Sequence, residues 1–383
     1  MMKPITIVCA LTLLAACHVA GSANGAAASE GAAISNPSFT ATPVAKFDEP
    51  WAMTFLPDGR LLVTEKKGAL KVYTIGGATG DVSGVPAVDY GGQGGFGDVV
   101  LHPKYQENHL VYLSYAEAGE GDTRGAAVAR ARLTLDKKGG GALSDLKVIW
   151  RQVPKVAGRG HYGHRIAFGP DGHLYISSGE RQKFDPAQDM NSNLGKIVRL
   201  NDDGSVPADN PFASRGGVTA QVWSLGHRNP LGLAFDSQGR LWNQEMGPQG
   251  GDELNLVERG ANYGYPIVSE GEHYDGKDIP KHATHPEFKA PKIAWNPVIS
   301  PGGLMFYSGQ EFPDWRGDAF IGGLSSETLI RIEFDGESAR EADRFPMGHR
   351  IREIEQGPAG AIWLLEDERN GVGGRLLKMT RPR

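Results

Sequence analysis

Cysteine is almost missing from this chain. Its 383 residues hold two, Cys9 and Cys17, both near the N-terminus. Everything beyond them is free of thiols, which excludes structural disulfides and cysteine nucleophiles from the folded body. An excess of basic charge is missing too: 40 Lys and Arg face 45 Asp and Glu, a formal net charge of -5. That balance gives no long-range attraction for nucleic acid or anionic lipid, so a nucleic-acid partner is not expected. Helical periodicity is weak throughout. The chain is rich instead in turn formers, with 53 Gly and 24 Pro, and its 40% hydrophobic residues are enough for a large core. Such a profile suits many short strands joined by tight turns.

The N-terminus reads as a leader. Lys3 supplies a minimal positive region, and Ile5 to Ala16 is an apolar stretch too short to span a bilayer as a finished helix. A signal peptide is therefore expected over residues 1–16. The segment Leu14-Ala15-Ala16-Cys17 resembles a bacterial lipobox, in which the cysteine is lipidated after cleavage before it. Ordinary cleavage within the small-residue tract Gly21 to Ala33, for instance after Ala28, is the competing reading. The lipobox is favoured because a cysteine directly after Leu-Ala-Ala is hard to place otherwise. Residues 17–38 are then a flexible tether and 39–383 the folded domain. The protein is expected to be exported and periplasmic, touching a membrane only through a lipid at Cys17.

The body repeats itself. Trp51-Ala-Met-Thr-Phe-Leu-Pro-Asp-Gly-Arg-Leu-Leu-Val-Thr-Glu65 is an alternating strand, a Pro-Asp-Gly turn and a second strand. The phrase returns from Arg165 to Ser178, from Leu231 to Asn243 and from Ile351 to Leu364. Degenerate copies start at Val99 and Gly303, and each copy is followed by another strand-like segment such as Leu70–Tyr73 or Lys196–Leu200. The count is about six units spaced roughly 45 to 75 residues apart, the scale of four-stranded blades with loop insertions. A twisted four-stranded sheet cannot bury both faces alone, so such blades stack radially around a channel. The reading is all-β: a six-bladed β-propeller of four-stranded antiparallel blades, with Phe39 to Phe47 closing the ring against the last blade. The alternative is a β-sandwich with coincidental turns, which six ordered copies weigh against.

Polar clusters fall at the blade ends. His161-Tyr-Gly-His-Arg165 precedes one first strand, and its first histidine, with no carboxylate adjacent in sequence, suits a general base. A surface histidine in a polar loop is the plainer alternative. Gly226-His-Arg-Asn-Pro-Leu-Gly232 stands in the same relative place one unit later. One strand on comes Glu245-Met-Gly-Pro-Gln-Gly-Gly-Asp-Glu253, whose carbonyls before and at Pro248 could face a hard cation, unless it is only a solvated Gly-rich turn. Arg350 and Arg352 alternate along a strand and so share a face, which calls for an anion between them: a bound carboxylate or a blade-edge acid. The longest irregular stretches, Ala157–His164, Glu180–Leu194, Asn262–Pro301 and Arg369–Gly374, are where function is expected on a rigid scaffold.

In this order the phrases resemble the soluble pyrroloquinoline-quinone-dependent aldose and glucose dehydrogenases of the glucose/sorbosone dehydrogenase family, from about Val44 onward. Gly92-Gln-Gly-Gly95 with Asp98, Gly179-Glu-Arg181, Asn262-Tyr-Gly-Tyr-Pro266, Trp295 with Ile299-Ser-Pro-Gly302 and Trp315-Arg-Gly-Asp318 complete the set. The resemblance implies oxidation of an aldose at C1 to a lactone, with pyrroloquinoline quinone and Ca²⁺ as cofactors and a periplasmic electron acceptor. It implies His161 as base, Gln93 beside base and substrate, and Arg228 as stabiliser of charge on the quinone oxygen. It implies Asn229, Arg350 and Arg352 as cofactor contacts, Trp295 as a hydrophobic wall, and the carbonyls of Gly247 and Pro248 as Ca²⁺ ligands. Departures are Gly160 where the glucose enzymes have an acid, Glu180 where an Asp is common, and Gly323-Leu-Ser-Ser326, which offers hydroxyls where they have a cofactor-binding lysine. These agree better with the broader aldose-dehydrogenase branch. A metal-dependent lactonase and a binding scaffold with a degenerate site are the other classes weighed.

Overall fold

The computed structural model describes residues 31–382, so the expected signal peptide and Cys17 lie outside the described residues. Strands dominate. β1 (Ile34–Asn36) and β2 (Phe39–Lys46) are followed by β3 (Pro50–Phe55), β4 (Leu61–Glu65), β5 (Ala69–Tyr73) and β6 (Thr79–Ser83). Next come β7 (Phe96–Leu101), β8 (Leu110–Ala118), β9 (Arg124–Leu135) and β10 (Gly141–Arg151). β11 (Gly163–Phe168), β12 (Leu174–Ser178), β13 (Lys196–Leu200) and β14 (Val222–Leu225) form one four-stranded sheet. β15 (Pro230–Phe235), β16 (Leu241–Glu245), β17 (Asp252–Val257) and β18 (Ile293–Trp295) form the next. β19 (Pro301–Phe306), β20 (Ala319–Gly323), β21 (Thr328–Asp335) and β22 (Ser338–Pro346) form another. β23 (Ile351–Gln356), β24 (Ile362–Glu366) and β25 (Arg375–Thr380) end the chain, and β2 pairs antiparallel with β25.

The repeated phrase is a repeated hydrogen-bond pattern. In Leu56–Arg60 the Gly59 N–H donates to Leu56 O at 2.9 Å and the Leu56 N–H to Arg60 O at 2.8 Å. Gly169–His173, Asp236–Arg240 and Gly357–Ala361 repeat both bonds. A glycine near φ +80° occupies the fourth place each time (Gly59, Gly172, Gly239, Gly360), a left-handed conformation that suits only glycine cheaply. The turn fixes register, and register decides which face of each strand is apolar.

The first strand of each meander packs on the next: β3 on β7, β7 on β11, β11 on β15, β15 on β19, β19 on β23, and β23 back on β3. The ring is closed, and the apolar cores lie between neighbouring sheets. Trp242, Leu254, Ile321 and Ile330 make one such core. Phe39, Phe320, Leu364 and Met379 make another, so the β2–β25 pairing is sealed by burial as well as by its ladder. Full burial of Phe39 alone contributes about 1.5–3 kcal/mol. The structure departs from the expected tether at its end: Ile34–Asn36 is a strand, because Asn36-Pro37-Ser38 turns the chain and pairs Ile34 with Ala41. The β3–β6 and β7–β10 meanders also touch by a short parallel pairing of Gly141 with Val82, which joins them into one eight-stranded sheet.

Each first strand slips register in its opening residues: between Pro50 and Ala52, Phe96 and Val99, Gly163 and Ile166, Pro230 and Gly232, Pro301 and Leu304, and Ile351 and Glu353. Such irregularities re-aim side chains away from the pleat. Trp51, Asp98, His164, Arg165, Leu231 and Arg352 all fall inside these shifts and all line the central channel.

Candidate active site

Two cavities adjoin at the N-terminal ends of the first strands. The larger, about 390 Å³, is bounded by Trp51, Lys66, Gln93, Asn229, Arg350 and Arg352. The second, about 290 Å³, is bounded by His161, Glu180, Phe184, Arg228, Pro248 and Tyr274 among others. Arg228 and Asn229, consecutive in the chain, face one cavity each, and the Arg228 guanidinium donates to Met246 O at 3.0 Å across the partition. Each of the four long loops delivers a lining residue: His161, Glu180, Tyr274 and Arg369. Below them an ion cluster plugs the channel. Arg165 pairs with Glu353, lies 3.6 Å from Asp98, and donates to Leu231 O at 2.7 Å.

His161 is 5% exposed. Its Nδ1 meets Glu180 Oε1, and its backbone N–H donates to Gln93 Oε1 at 2.8 Å. The structure thus supplies the carboxylate partner that sequence adjacency did not, from the loop that follows β12. The second Glu180 oxygen accepts from the Lys183 and Phe184 N–H groups, so the carboxylate is fixed at both ends. Burial pushes the His161 imidazole below its ordinary value, against the pull of Glu180, and the Arg228 charge adds to the lowering. Burial pushes Glu180 up, but its contact with His161, the Phe184 N–H and the Arg228 charge together outweigh this and hold it below the usual carboxylate range. The pair is therefore a neutral imidazole over a carboxylate. With Nδ1–H donated to Glu180, Nε2 is left as a proton acceptor.

The approach needs glycine at one point: a Cβ on Gly179 would stand 2.1 Å from His161 O. Arg181 braces the facing loop by donating to Gly160 O at 2.8 Å, Arg124 O at 2.6 Å and Gly158 O at 2.5 Å. His161, Arg181, Gln182 and Phe184 all hold positive φ, between +50° and +63°. Each such residue costs of order 1–3 kcal/mol and persists only where its surroundings over-determine it.

Arg350 and Arg352 converge on one acid. Arg350 Nε donates to Asp367 Oδ2 at 2.7 Å, and Arg352 Nε and Nη2 donate to Asp367 Oδ1 at 2.9 and 2.8 Å. The anion expected between them is a blade-edge acid, and both arginines still line the larger cavity beside it. Burial pushes Asp367 up, but the two guanidinium groups overcome this and hold it low. Asn229 is 1% exposed; its Oδ1 accepts from Gly163 N–H at 3.2 Å, and its Nδ2 has no partner among the described residues. Tyr162 Oη and both ring nitrogens of His164 are likewise buried without partners. Burial, with Arg181 and Arg165 nearby, pushes His164 down to about 3, so it stays neutral.

Gly247 and Pro248 lie together between the second cavity and a small pocket beneath it. Asp252 shapes their turn, its carboxylate accepting from the N–H of Gly247 at 2.9 Å, Ile299 at 2.8 Å and Ser300 at 2.7 Å. Among the described residues, no group of three or more His, Cys, Asp or Glu side chains is arranged to hold a metal. The donors at this place are backbone carbonyls.

One expected residue is elsewhere. Trp295 sits in the core between β18 and the β19–β22 sheet, its Nε1 donating to Glu341 Oε2 at 2.7 Å. It lies on the outermost strand of its sheet, one strand-width after another from the channel, and lines neither cavity. The tryptophan on the cavity wall is Trp51, packed over Arg165 at 4.2 Å and edge-on to His164. Its signal was in the repeat: Trp51 opens its phrase at the place where His164-Arg165 opens another.

A closed ring of antiparallel sheets, carrying a buried histidine–carboxylate pair and a basic cavity at one mouth, defines a propeller-type enzyme. The chain belongs to the Glucose / Sorbosone dehydrogenase family, whose model matches residues 47–378. It is 38% identical over 342 residues to Aldose sugar dehydrogenase YliI of Escherichia coli, covering 88% of this chain and 91% of that one. The apo-form crystal structure of the soluble aldose sugar dehydrogenase from Escherichia coli superposes with a TM-score of 0.83 at 36% identity, covering 90% of this chain and all (100%) of that one. The PQQ-bound aldose sugar dehydrogenase from Streptomyces coelicolor superposes with a TM-score of 0.72 at 29% identity, covering 90% and 99%. The chain is an oxidoreductase acting on sugars.

Proposed function

We propose that this protein oxidises the anomeric C1 hydroxyl of aldoses to the lactone, using pyrroloquinoline quinone with Ca²⁺, in a six-bladed propeller. The observation that carries the reading is the buried His161–Glu180 pair in one cavity beside a second cavity walled by cations. The six mutually packed first strands support the blade count. The cofactor is a flat tricarboxylate, and the larger cavity offers it charge and unused donors: Lys66, Arg350, Arg352 and the unpartnered Asn229 Nδ2. When bound, it supplies a two-electron acceptor that no amino-acid side chain provides.

This chain's residues do the rest. His161 Nε2 takes the proton of the anomeric hydroxyl as C1 loses its hydride, and Glu180 holds the imidazole in the tautomer that makes Nε2 the acceptor. Gln93, tied to the His161 backbone, stands beside the base. Arg228, 5% exposed and fixed by its N–H to Glu245 Oε2 at 2.6 Å, places a cation where negative charge develops. The carbonyls of Gly247 and Pro248 would hold Ca²⁺, whose chemistry is that of a Lewis acid. Electrons leave to a periplasmic acceptor; export through the 1–16 signal peptide and lipidation at Cys17 belong to the same proposal.

The test is dye reduction by the full-length chain loaded with pyrroloquinoline quinone and Ca²⁺, over a panel of aldoses. Turnover of at least one aldose is expected. No turnover with any of them, together with no change in quinone absorbance on mixing, would overturn the reading.

A further inference from the structure

We propose that Lys66 is a third cation for the cofactor's carboxylates, supplied from across the channel in place of the missing lysine after β20. The inference rests on the function proposed above. The β19–β22 sheet gives the larger cavity only Leu324, and the Gly323–Ser326 segment holds no cation. Lys66, just past the end of β4, lines that cavity with Arg350 and Arg352.

Three features set Lys66 apart from a solvated surface lysine. Its backbone is pinned on both sides, the N–H donating to Glu49 O at 2.9 Å and the carbonyl accepting from Phe96 N–H at 2.9 Å. Its side chain is 19% exposed, and its Nζ reaches Gly92 O at 3.3 Å. Its nearest carboxylate among the described residues is Glu49 at 3.9 Å, and Glu49 is engaged elsewhere: Tyr90 donates to it at 2.7 Å and Lys67 approaches to 3.7 Å. The arginines differ, since each has Asp367 in direct contact. Four cations line this cavity; Arg369 is exposed to solvent, and of the three half-buried ones Lys66 is the least neutralised. Burial and the charge of Arg352 both push its ammonium down, a cost that an anion placed between them would reverse. A tricarboxylate meets that need, where a neutral sugar does not.

The experiment is direct titration of the full-length apo-protein with pyrroloquinoline quinone, followed by quinone absorbance and by calorimetry, with no sugar present. Lys66→Met is expected to weaken binding about tenfold or more, the scale of one lost charge-assisted contact, and to flatten the dependence on ionic strength. Lys66→Arg should keep most of the affinity, and Lys66→Met/Ser325→Lys should regain part of it. If wild type binds but Lys66→Met binds equally well, the role of Lys66 is overturned while the proposed function stands. If wild type itself binds no quinone, the proposed function fails first. Thermal melting of each variant checks that the ring is intact.

Discussion

His161 and Glu180 stand nineteen positions apart in sequence and share a hydrogen bond between Nδ1 and a carboxylate oxygen. One residue lies in the 157–164 loop just before β11 and the other opens the loop after β12, so the β11–β12 pairing brings them together. The pair makes a prediction in pH. His161 works as a base only when neutral, so the rate falls as pH drops through its value in the protein. Glu180→Gln removes the anion that favours the imidazolium, so that value falls further and the acid limb of kcat/KM moves to lower pH. The plateau should drop about a hundredfold, because the imidazole loses its orienting acceptor. An unshifted acid limb would show that His161 is not the titrating base.

Replacing the proposed base separates chemistry from binding. His161→Ala should abolish sugar oxidation while leaving quinone affinity within a few-fold of wild type, since His161 lines the second cavity and not the larger one. Absorbance titration beside dye reduction reads both. Loss of quinone binding would reassign His161 to the cofactor.

The two tryptophans should behave oppositely. Trp295→Phe loses the bond to Glu341 within a buried core, so a destabilisation of about 1–3 kcal/mol is expected with KM and kcat unchanged. Trp51→Ala should weaken quinone binding, because its ring forms the cavity wall over Arg165 and near Arg352 at 5.9 Å. Thermal melts with steady-state kinetics distinguish the two, and a KM effect confined to Trp295 would restore it to the site.

The repeat was legible because each turn is local: Pro-Asp-Gly or its variants must place glycine at positive φ, and that requirement is written within five residues. The closing strand at Phe39–Phe47 was expected from the ring itself, which needs a strand to meet the last blade. What was not legible depends on distance. Glu180 sits among loop residues whose periodicity says nothing, and Asp367 looks like any acid after a strand until β24 carries it between Arg350 and Arg352. Trp295 was expected at the site from the resemblance alone, whereas its position on an outer strand packs it between sheets. Lys66 gave no signal beside its neighbour Lys67; only the ring places one toward the cavity and leaves the other paired with Asp48 at 2.9 Å.

Cation removal tests the carbonyl site. Gly247 and Pro248 offer neutral oxygens in a turn held by Asp252, a donor set that suits Ca²⁺, with its flexible coordination, over Mg²⁺, which demands a tight octahedron. Chelation should therefore remove most activity of the loaded protein, with Ca²⁺ restoring it and Mg²⁺ restoring little. Asp252→Ala, which frees the turn, should raise the Ca²⁺ concentration needed for half-restoration. Full activity after exhaustive chelation would dismiss the site.

The loop that carries Glu180 is held from behind by a buried lysine. Lys196 is 0% exposed, and its Nζ donates to Pro186 O at 2.7 Å, Leu194 O at 2.8 Å and Ala187 O at 3.0 Å. Lys196→Met fills similar space but leaves three carbonyls without their donor, a loss of about 1–3 kcal/mol. The loop should then open to proteolysis near Lys183, and the rate should fall with the misplacement of Glu180. The pH dependence has a definite sign. Burial pushes the Lys196 ammonium down to about 7, whereas the unfolded chain keeps an ordinary lysine, so between these values the unfolded state binds more protons. Stability from this residue therefore rises with pH across that window. The gap in melting temperature between wild type and Lys196→Met should widen from pH 7 towards pH 10. A gap that stays flat over that range would mean that Lys196 stays charged in the fold, and that its three carbonyls offset the burial cost.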